Sequence, residues 1–330
     1  MSETFDAMVI TDAGERKTKA EVTALSLADL PDYPVLVEIS HSTVNFKDGL
    51  AITGKGRIAR RLPMIAGIDL AGTVVESASP DWKPGDKVIC NGWGLSETEQ
   101  GAYAKYQRLK PEWLLPLPEA FTPEQAMAIG TAGYTAALCV QALLDWGKIS
   151  KEGPDVLVTG AAGGVGSVAI ALLGSMGYPV TAVTGRPETH EYLSGLGAKS
   201  FLDRAEIAEA GKPLQAERWA GAVDVVGSHT LANVLAQTCY GGAVAACGLA
   251  GGADLPATVM PHILRGVALL GVDSVMAPME KRKAAWKLLA DHLDPALLSS
   301  VYSVHPFAEL PQLAADIIGG KIRGRVVVEI

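Results

Sequence analysis

The chain has 330 residues, 48% hydrophobic and 19% charged, and its 36 acidic against 28 basic side chains leave a net charge of −8. That length allows two cores, and the acidic balance argues against nucleic acid as the main partner. No apolar run is expected to reach the roughly 18–20 residues of a membrane span, and the opening MSETFDAMVITDAG lacks the basic and apolar regions of a signal peptide.

In the first third, the strand-like runs Val35–Ser40, Gly72–Glu76 and Lys87–Ile89 are short and broken by glycine and proline, as in KPGDKV at 83–88. That pattern predicts an irregular β barrel or sandwich. The character changes at Thr122, which stands as N-cap before Pro123 at the first helical position, with Gln125 placed to close a capping box. From Asp155 onward strands and helices alternate: a strand at 156–159, a helix at 167–176, a strand at 180–184, a helix at 188–195, then strands near 223–226, 243–247 and 267–272. Alternation of this kind predicts an α/β, doubly wound parallel sheet. A helix over MEKRKAAWKLLADHL and a closing strand in RGRVVVEI end the chain. The expected division is a first domain over 1–122, completed by 275–330, and a second over 123–274. There is no internal repeat and no low-complexity stretch.

Residues 156–177, VLVTGAAGGVGSVAIALLGSMG, place Gly160, Gly163, Gly164 and Gly166 between a predicted strand and a predicted helix. A turn needs one or two glycines, so this many suggests a ligand approaching the backbone closely. Ala162, Gly163, Gly164, Val165 and Gly166 would then offer amide N–H groups to a pyrophosphate, helped by the positive end of the helix dipole. The spacing departs from the commonest G-x-G-x-x-G form, and a glycine-rich turn without a ligand is the plainer reading.

The next strand chooses between dinucleotides. An NAD enzyme places Asp or Glu there for the ribose 2′-hydroxyl, whereas this chain has Thr184, Gly185 and Arg186. A guanidinium suits a 2′-phosphate, and Arg204, closing the SFLDR run, can add a second charge. NADPH is therefore expected over NADH. The plainer reading of Arg186 is an exposed arginine beside a helix N-terminus.

These residues resemble the medium-chain dehydrogenase/reductase superfamily, in its zinc-free quinone-reductase-like branch. The resemblance spans nearly the whole chain: GIDLAGTVVE at 67–76, KPGDKV, GTAGYTAA at 130–137, TGAAGGVGS and the C-terminal GKIRGRVVVEI. Within that branch NFKDGLAITGKG (45–56), TGRPETHEYL (184–193), YGGAVAACGLAGG (240–252) and LRGVALLGVDSV (264–275) are similar to the acryloyl-CoA reductases. The resemblance implies a GroES-like β-rich catalytic domain beside a Rossmann cofactor domain, and NADPH-dependent reduction of acryloyl-CoA to propionyl-CoA. Zinc members carry a Cys after the second strand and a His in a Gly-His-Glu stretch. Here Asn45 and Gly67-Ile68-Asp69 stand in those places. Neither the six histidines nor Cys90, Cys139, Cys239 and Cys247 show metal-ligand spacing, so no metal is expected. The scattered cysteines read as reduced thiols of a cytoplasmic protein.

Without a metal, a nicotinamide delivers hydride to a carbon that is already electrophilic, such as the β-carbon of an alkene conjugated to a thioester. A proton then reaches the α-carbon. Asn45, at the place of the missing ligand, can hold substrate or cofactor by its amide, or simply form the turn after a strand. Phe46 stands where close relatives often have Tyr and is counted with the cofactor contacts. The resemblance puts Thr131 at the nicotinamide, the alternative being a hydroxyl bonded to a helix carbonyl. Leu249 ends a predicted strand at the sheet's ligand edge. Arg323 either reaches the cofactor or acyl group or is an exposed turn charge. Lys55, Arg57, Arg60 and Arg61, gathered in KGRIARRLP of an acidic chain, can bind the phosphates of coenzyme A or can form a solvated face. The expected partners are an acyl-CoA thioester and a second copy of the chain, because the apolar GVALLGV strand would otherwise be an uncovered edge. A quinone reductase on the same scaffold is the alternative activity, and a non-catalytic NADPH-binding protein is the alternative of a different class.

Overall fold

The computed structural model describes residues 4–330. They fall into two compact units, one comprising the chain up to Thr131 with Val275–Lys283 and Leu298–Ile330, the other Ala132–Ser274 with Ala284–Leu297. The division expected from the sequence falls after 122, with all of 275–330 in the first unit. The structure instead assigns 123–131 to the first unit, where Thr131 is bonded to Asp69, and gives 284–297 to the second.

The first unit is mostly strand. In chain order it contains β1 (Thr4–Gly14), β2 (Lys17–Ser26), β3 (Val35–Thr43), helix α1 (Phe46–Ile52), β4 (Met64–Ile65), β5 (Asp69–Ser77), β6 (Lys87–Asn91), β7 (Tyr106–Leu109) and β8 (Leu115–Pro116). Strands β2, β1 and β4 form a small antiparallel sheet. The larger sheet of this unit takes β3, β5, β6, β7 and β8, with antiparallel pairing throughout this part. Side chains such as Met8, Ile10, Met64, Tyr103, Val326 and Val328 form one buried cluster, and Val37, Leu70, Val88 and Leu109 belong to another. These strands alternate poorly because several residues on both faces are buried, as in β6.

Helix α2 (Pro123–Trp146) opens with the expected cap. Gln125 N–H donates to Thr122 Oγ1 at 3.2 Å, and Thr122 N–H donates to Gln125 Oε1 at 3.0 Å. Length and mean hydropathy, 1.5 over 18 residues, would let α2 cross a membrane, yet 72% of that stretch is buried within the protein. The expectation that no apolar stretch reaches spanning length therefore does not hold for α2, whose apolar side chains serve the protein's own interior. Gly130 also interrupts the helix, at φ 50° and ψ −162°.

The second unit runs β9 (Val156–Val158), α3 (Gly164–Ser175), β10 (Val180–Thr184), α4 (His190–Gly195), β11 (Ser200–Asp203), β12 (Trp219–Asp224), α5 (Ser228–Gln237), β13 (Thr238–Ala246), α6 (Met260–Arg265) and β14 (Ala268–Gly271). Its strands lie in the order β11-β10-β9-β12-β13-β14, every pair parallel. This is the doubly wound Rossmann arrangement that the alternation predicted, and its strand order reverses beside β9. β9, β10 and β12 are buried along their whole length, which is why they read as continuous apolar runs. Helices α7 (Met279–His292) and α8 (Pro295–Leu298) follow. β15 (Tyr302–Pro306), α9 (Leu310–Ile318) and β16 (Arg325–Glu329) then extend the large sheet of the first unit, β16 pairing with β3 and α9 packing on α1.

Gly130 makes one consequence of this fold measurable. Its backbone conformation is essentially restricted to glycine, and a Cβ there would stand 2.7 Å from both Arg325 Nη2 and Thr43 Cγ2. The Gly130→Ala protein should lose about 1–3 kcal/mol or more of stability, read from its chemical unfolding midpoint. An unchanged midpoint would contradict this account of the break in α2.

Candidate functional site

The first unit encloses a polar network that begins where β3 turns into α1. Asn45, 7% exposed, donates its backbone N–H to Asp48 Oδ2 at 2.9 Å and so fixes the first turn of α1. Its side-chain nitrogen donates to Asp48 Oδ2 at 3.0 Å and to Asp69 Oδ2 at 2.7 Å. Its amide oxygen accepts from Arg325 Nη2 at 3.1 Å. Both amide hydrogens are thus donated inside the protein, and Asn45 serves as turn residue and network member at once.

Asp69, at the start of β5, is the hub. Oδ1 accepts from Asn91 Nδ2 and Thr131 Oγ1, both at 2.6 Å, while Oδ2 accepts from Asn45 Nδ2 and from Thr131 N–H at 2.9 Å. Thr131 follows the break at Gly130, so the carboxylate caps the restarted helix. The Thr131 hydroxyl therefore donates to a side-chain carboxylate rather than to a helix carbonyl. Arg325 on β16, also buried, supplies the charge opposite Asp69, and it donates to Thr43 Oγ1 at 2.8 Å and to the Ala128 carbonyl at 2.9 Å. Burial holds the Arg325 guanidinium below its ordinary range, against the pull of Asp69 and Asp48. For Asp48, burial first and the Asp69 charge second push the carboxyl up to about 7, while bonds from Asn45 and the charge of Lys47 oppose them.

Around this network the other expected residues of the first unit are spread out. Phe46 is 51% exposed at the start of α1. Arg323 is exposed, whereas Arg325, two residues on, is the buried member of the same segment. Lys55, Arg57, Arg60 and Arg61 are all exposed. Arg61 Nη2 pairs with Glu99 Oε2 at 3.3 Å, and Arg60 and Arg61 line a shallow depression with Thr98 and Glu99. Among the described residues, no three His, Cys, Asp or Glu side chains are grouped to hold a metal ion.

In the second unit the glycine loop follows β9 and leads into α3. Gly160 turns the chain at φ 57° and Gly163 caps the helix. Gly166 is required by close packing, since a Cβ there would fall 2.5 Å from the Gly160 carbonyl oxygen. Ala162, Gly163, Gly164 and Val165 therefore lie at a helix N-terminus whose first-turn amides have no intrahelical acceptor. The 12-residue helix brings its dipole to the same place. Such an end can hold a phosphate.

Thr184, buried at the end of β10, accepts the Arg186 N–H at 3.1 Å and lies 3.2 Å from the Thr189 hydroxyl. Its hydroxyl shapes the 184–186 turn. Arg204 begins just past β11, whose Asp203 is in register with Thr184. Its side chain lies across Gly185, where a Cβ would meet Arg204 Nε at 2.5 Å. Glycine at 185 thus brings the two arginines to one strand end, and neither has an ion-pair partner among the described residues. Leu249, 65% exposed, lies in the 247–252 loop, which is bonded to the 225–226 backbone through Ala250 and Gly251.

Sequence reasoning missed the residue that ties these loops together. Asp224 ends β12, accepts from Thr159 Oγ1 at 2.7 Å and from Gly227 N–H at 2.8 Å, and its carbonyl accepts from Cys247 N–H at 2.9 Å. Burial raises its carboxyl above the ordinary range, partly offset by the Thr159 and backbone bonds. Asp69 and Arg325 were missed as well. The signal available was a charge at one end of an apolar strand: alone in GIDLAG and AGAVDVV, and in RGRVVVEI beside a second arginine and opposite a terminal glutamate.

Comparison with known proteins agrees with this layout. The family model "Alcohol dehydrogenase GroES-like domain" matches residues 31–119, and "Zinc-binding dehydrogenase" matches 164–291. Acrylyl-CoA reductase AcuI of Ruegeria pomeroyi is 52% identical, covering 99% of each chain. The crystal structure of the yhdH oxidoreductase from Salmonella enterica in complex with NADP is 48% identical with a TM-score of 0.95, covering 98% of this chain and 99% of that one. Bacillus subtilis protein yhfP with NAD bound is 42% identical with a TM-score of 0.95, covering 100% of both.

Proposed function

Since the chain belongs to the medium-chain dehydrogenase/reductase superfamily and there to the acrylyl-CoA reductases, we propose that it reduces the carbon–carbon double bond of acryloyl-CoA with NADPH. The observation that carries this reading is the likeness, over almost the full chain, to a relative named for that activity. NADPH supplies the hydride that adds to the β-carbon, while a proton completes the α-carbon. The amides and dipole at the start of α3 hold its pyrophosphate, and Arg186 and Arg204 pair with its 2′-phosphate. Leu249 covers the sheet edge beside it. Phe46, Thr131 and Arg323 are assigned to the reacting end of the cofactor, with Arg323 also a candidate cation for the acyl group. Asn45 acts by holding the floor of that site, since its amide hydrogens are already donated. Lys55, Arg57, Arg60 and Arg61 receive the phosphates of the CoA ester. The reaction is assigned no metal, because asparagine and isoleucine occupy positions 45 and 68. Scattered free thiols fit a cytoplasmic location.

A quinone reductase is the second reading, favoured by a relative named putative quinone oxidoreductase that is 42% identical over the whole chain. NADPH oxidation, followed in the presence of a strong chelator with acryloyl-CoA, longer enoyl-CoAs and a simple quinone, separates the two. Turnover of the quinone alone would overturn the CoA reading.

Cofactor choice rests on the end of β10. Replacing Arg186 by alanine should weaken NADPH binding by about 1–3 kcal/mol while changing NADH binding little, as measured by fluorescence titration. Equal affinity of the wild type for both dinucleotides would refute the assignment.

The basic cluster is tested by the acryl-thioester of a truncated pantetheine, which presents the same alkene without the nucleotide phosphates. It should be used far less efficiently than the CoA ester, and the gap should shrink when the four charges are removed or when salt screens contacts beyond about 10 Å at 0.1 M. Equal use of both esters at low salt would leave the cluster a solvated face.

The homodimer is assigned to the β14 edge, which among the described residues pairs with β13 alone. Leu269 on it, and Val259, Ile263 and Leu264 beside it, are exposed, and a second copy would continue the sheet across a two-fold axis. Light scattering at micromolar concentration should give twice the chain mass of 34.4 kDa. A monomer mass would rule the edge out as an interface.

A further inference from the structure

Asp48 has no exposed surface, and its two oxygens are unlike. Oδ2 accepts two bonds from Asn45, whereas Oδ1 is buried with no hydrogen-bond partner. Asp69, by contrast, accepts four donors and has no lone pair left for a proton. One buried guanidinium, Arg325, serves both carboxyls. An ionised Asp48 would bury a second negative charge without a matching cation and leave one of its oxygens unpaired, which is costly. A proton on Oδ1 removes both problems. The Tyr103 hydroxyl lies against the same carboxyl. It already donates to the Thr43 carbonyl at 3.0 Å, so its oxygen is open to accept.

We propose that Asp48 is a positioning residue that keeps a proton on Oδ1 in the working enzyme, and that this proton holds Asn45, Asp69 and Thr131 in register for the reaction. The inference rests on the assignment of Asn45 and Thr131 to the reacting site. Ionisation would set two carboxylates against the one Asn45 amide nitrogen and push the start of α1 away from β5. The groups facing the carboxyl are Asp69 from β5, Arg325 from β16, Tyr103 and, on α1 itself, Lys47, whose ammonium is engaged by Glu97 at 2.6 Å. Helix α9 brings only Asp316, tied to Lys321 and Gln312. β2 brings Lys17, Lys19 and Glu21, all exposed.

The test compares the wild type with Asp48→Asn and Asp48→Ala. The asparagine keeps an acceptor for Asn45 and a donor toward Tyr103, and it cannot ionise. Wild-type kcat/KM should fall about tenfold per pH unit above the carboxyl's transition near 7. In Asp48→Asn that fall should disappear, with activity at low pH within about threefold of wild type, since about 0.6 kcal/mol covers such a factor. Asp48→Ala should be impaired at every pH. Two readouts need no substrate. The infrared spectrum of the wild type at neutral pH should contain a protonated-carboxyl band that Asp48→Asn lacks. Thermal stability should also diverge with the sign set by a raised carboxyl: the folded protein keeps the proton where the unfolded chain has lost it. The wild type therefore loses stability relative to Asp48→Asn from about pH 4 up to the transition, and not beyond it. Superimposable pH profiles, or an inactive but folded Asp48→Asn, would overturn the proposal. A wild type that turns over no CoA ester sinks the substrate reading alone, and absence of the infrared band then decides against the proton.

Discussion

A carboxylate with no exposed surface holds the first unit's site together. Asp69 would be prohibitively costly to bury alone. It is tolerated because two side-chain amides, one hydroxyl and one backbone N–H converge on it, and because Arg325 is buried in the same network. These four donors come from three parts of the chain: Asn45 at the start of α1, Asn91 at the end of β6, and Thr131, which gives two, at the restarted α2. The carboxylate therefore fixes three connections at once, and Thr131 sits where it does because the helix breaks at Gly130 and begins again on Asp69.

Asp224 does comparable work in the second unit by different means. No cation faces it. It is satisfied by Thr159 and by backbone N–H groups of the turn that follows β12. Thr159 also accepts the Val225 N–H at 3.0 Å, so β9 and β12 are locked together on either side of the point where strand order reverses. The glycine loop begins one residue after that threonine. Its shape is thus set from below by a hydrogen-bonded acid and from the side by Gly166, and the loop can present amides without a bound ligand to organise it.

The sequence carried the second unit's layout because parallel, buried strands leave unbroken apolar runs and the helices between them leave glycine punctuation. The strand ends were less legible: β12 starts at Trp219 and β13 at Thr238, earlier than their valine and alanine runs suggest. The hairpin of β1 and β2 went unread, since β2 is exposed along most of its length and contains no fully buried residue. At the site, the glycine loop and the pair Arg186 and Arg204 were legible as local patterns. The network around Asp69 was not, because its members at 43, 45, 48, 91, 131 and 325 meet only through tertiary folding. Arg323 drew attention as a charge in a turn, while the strand two residues later carried the buried one.

The choice of asparagine at position 45 follows from its neighbours. The place requires a group that donates to two carboxyls and accepts from a guanidinium within one side chain. An amide does all three. Aspartate would add a third acid to a site with one cation, and cysteine offers a single weak donor. An aliphatic residue would leave Asp48, Asp69 and Arg325 each short of a bond, at about 1–3 kcal/mol apiece. With the amide in place, the network's charge closes only if one of the two acids stays neutral. Asp69, saturated with donors, is not that one. Asp48, with an oxygen that accepts no hydrogen bond and lies against the Tyr103 hydroxyl, has the geometry for it, so the same asparagine that shapes the turn into α1 also determines where the proton resides.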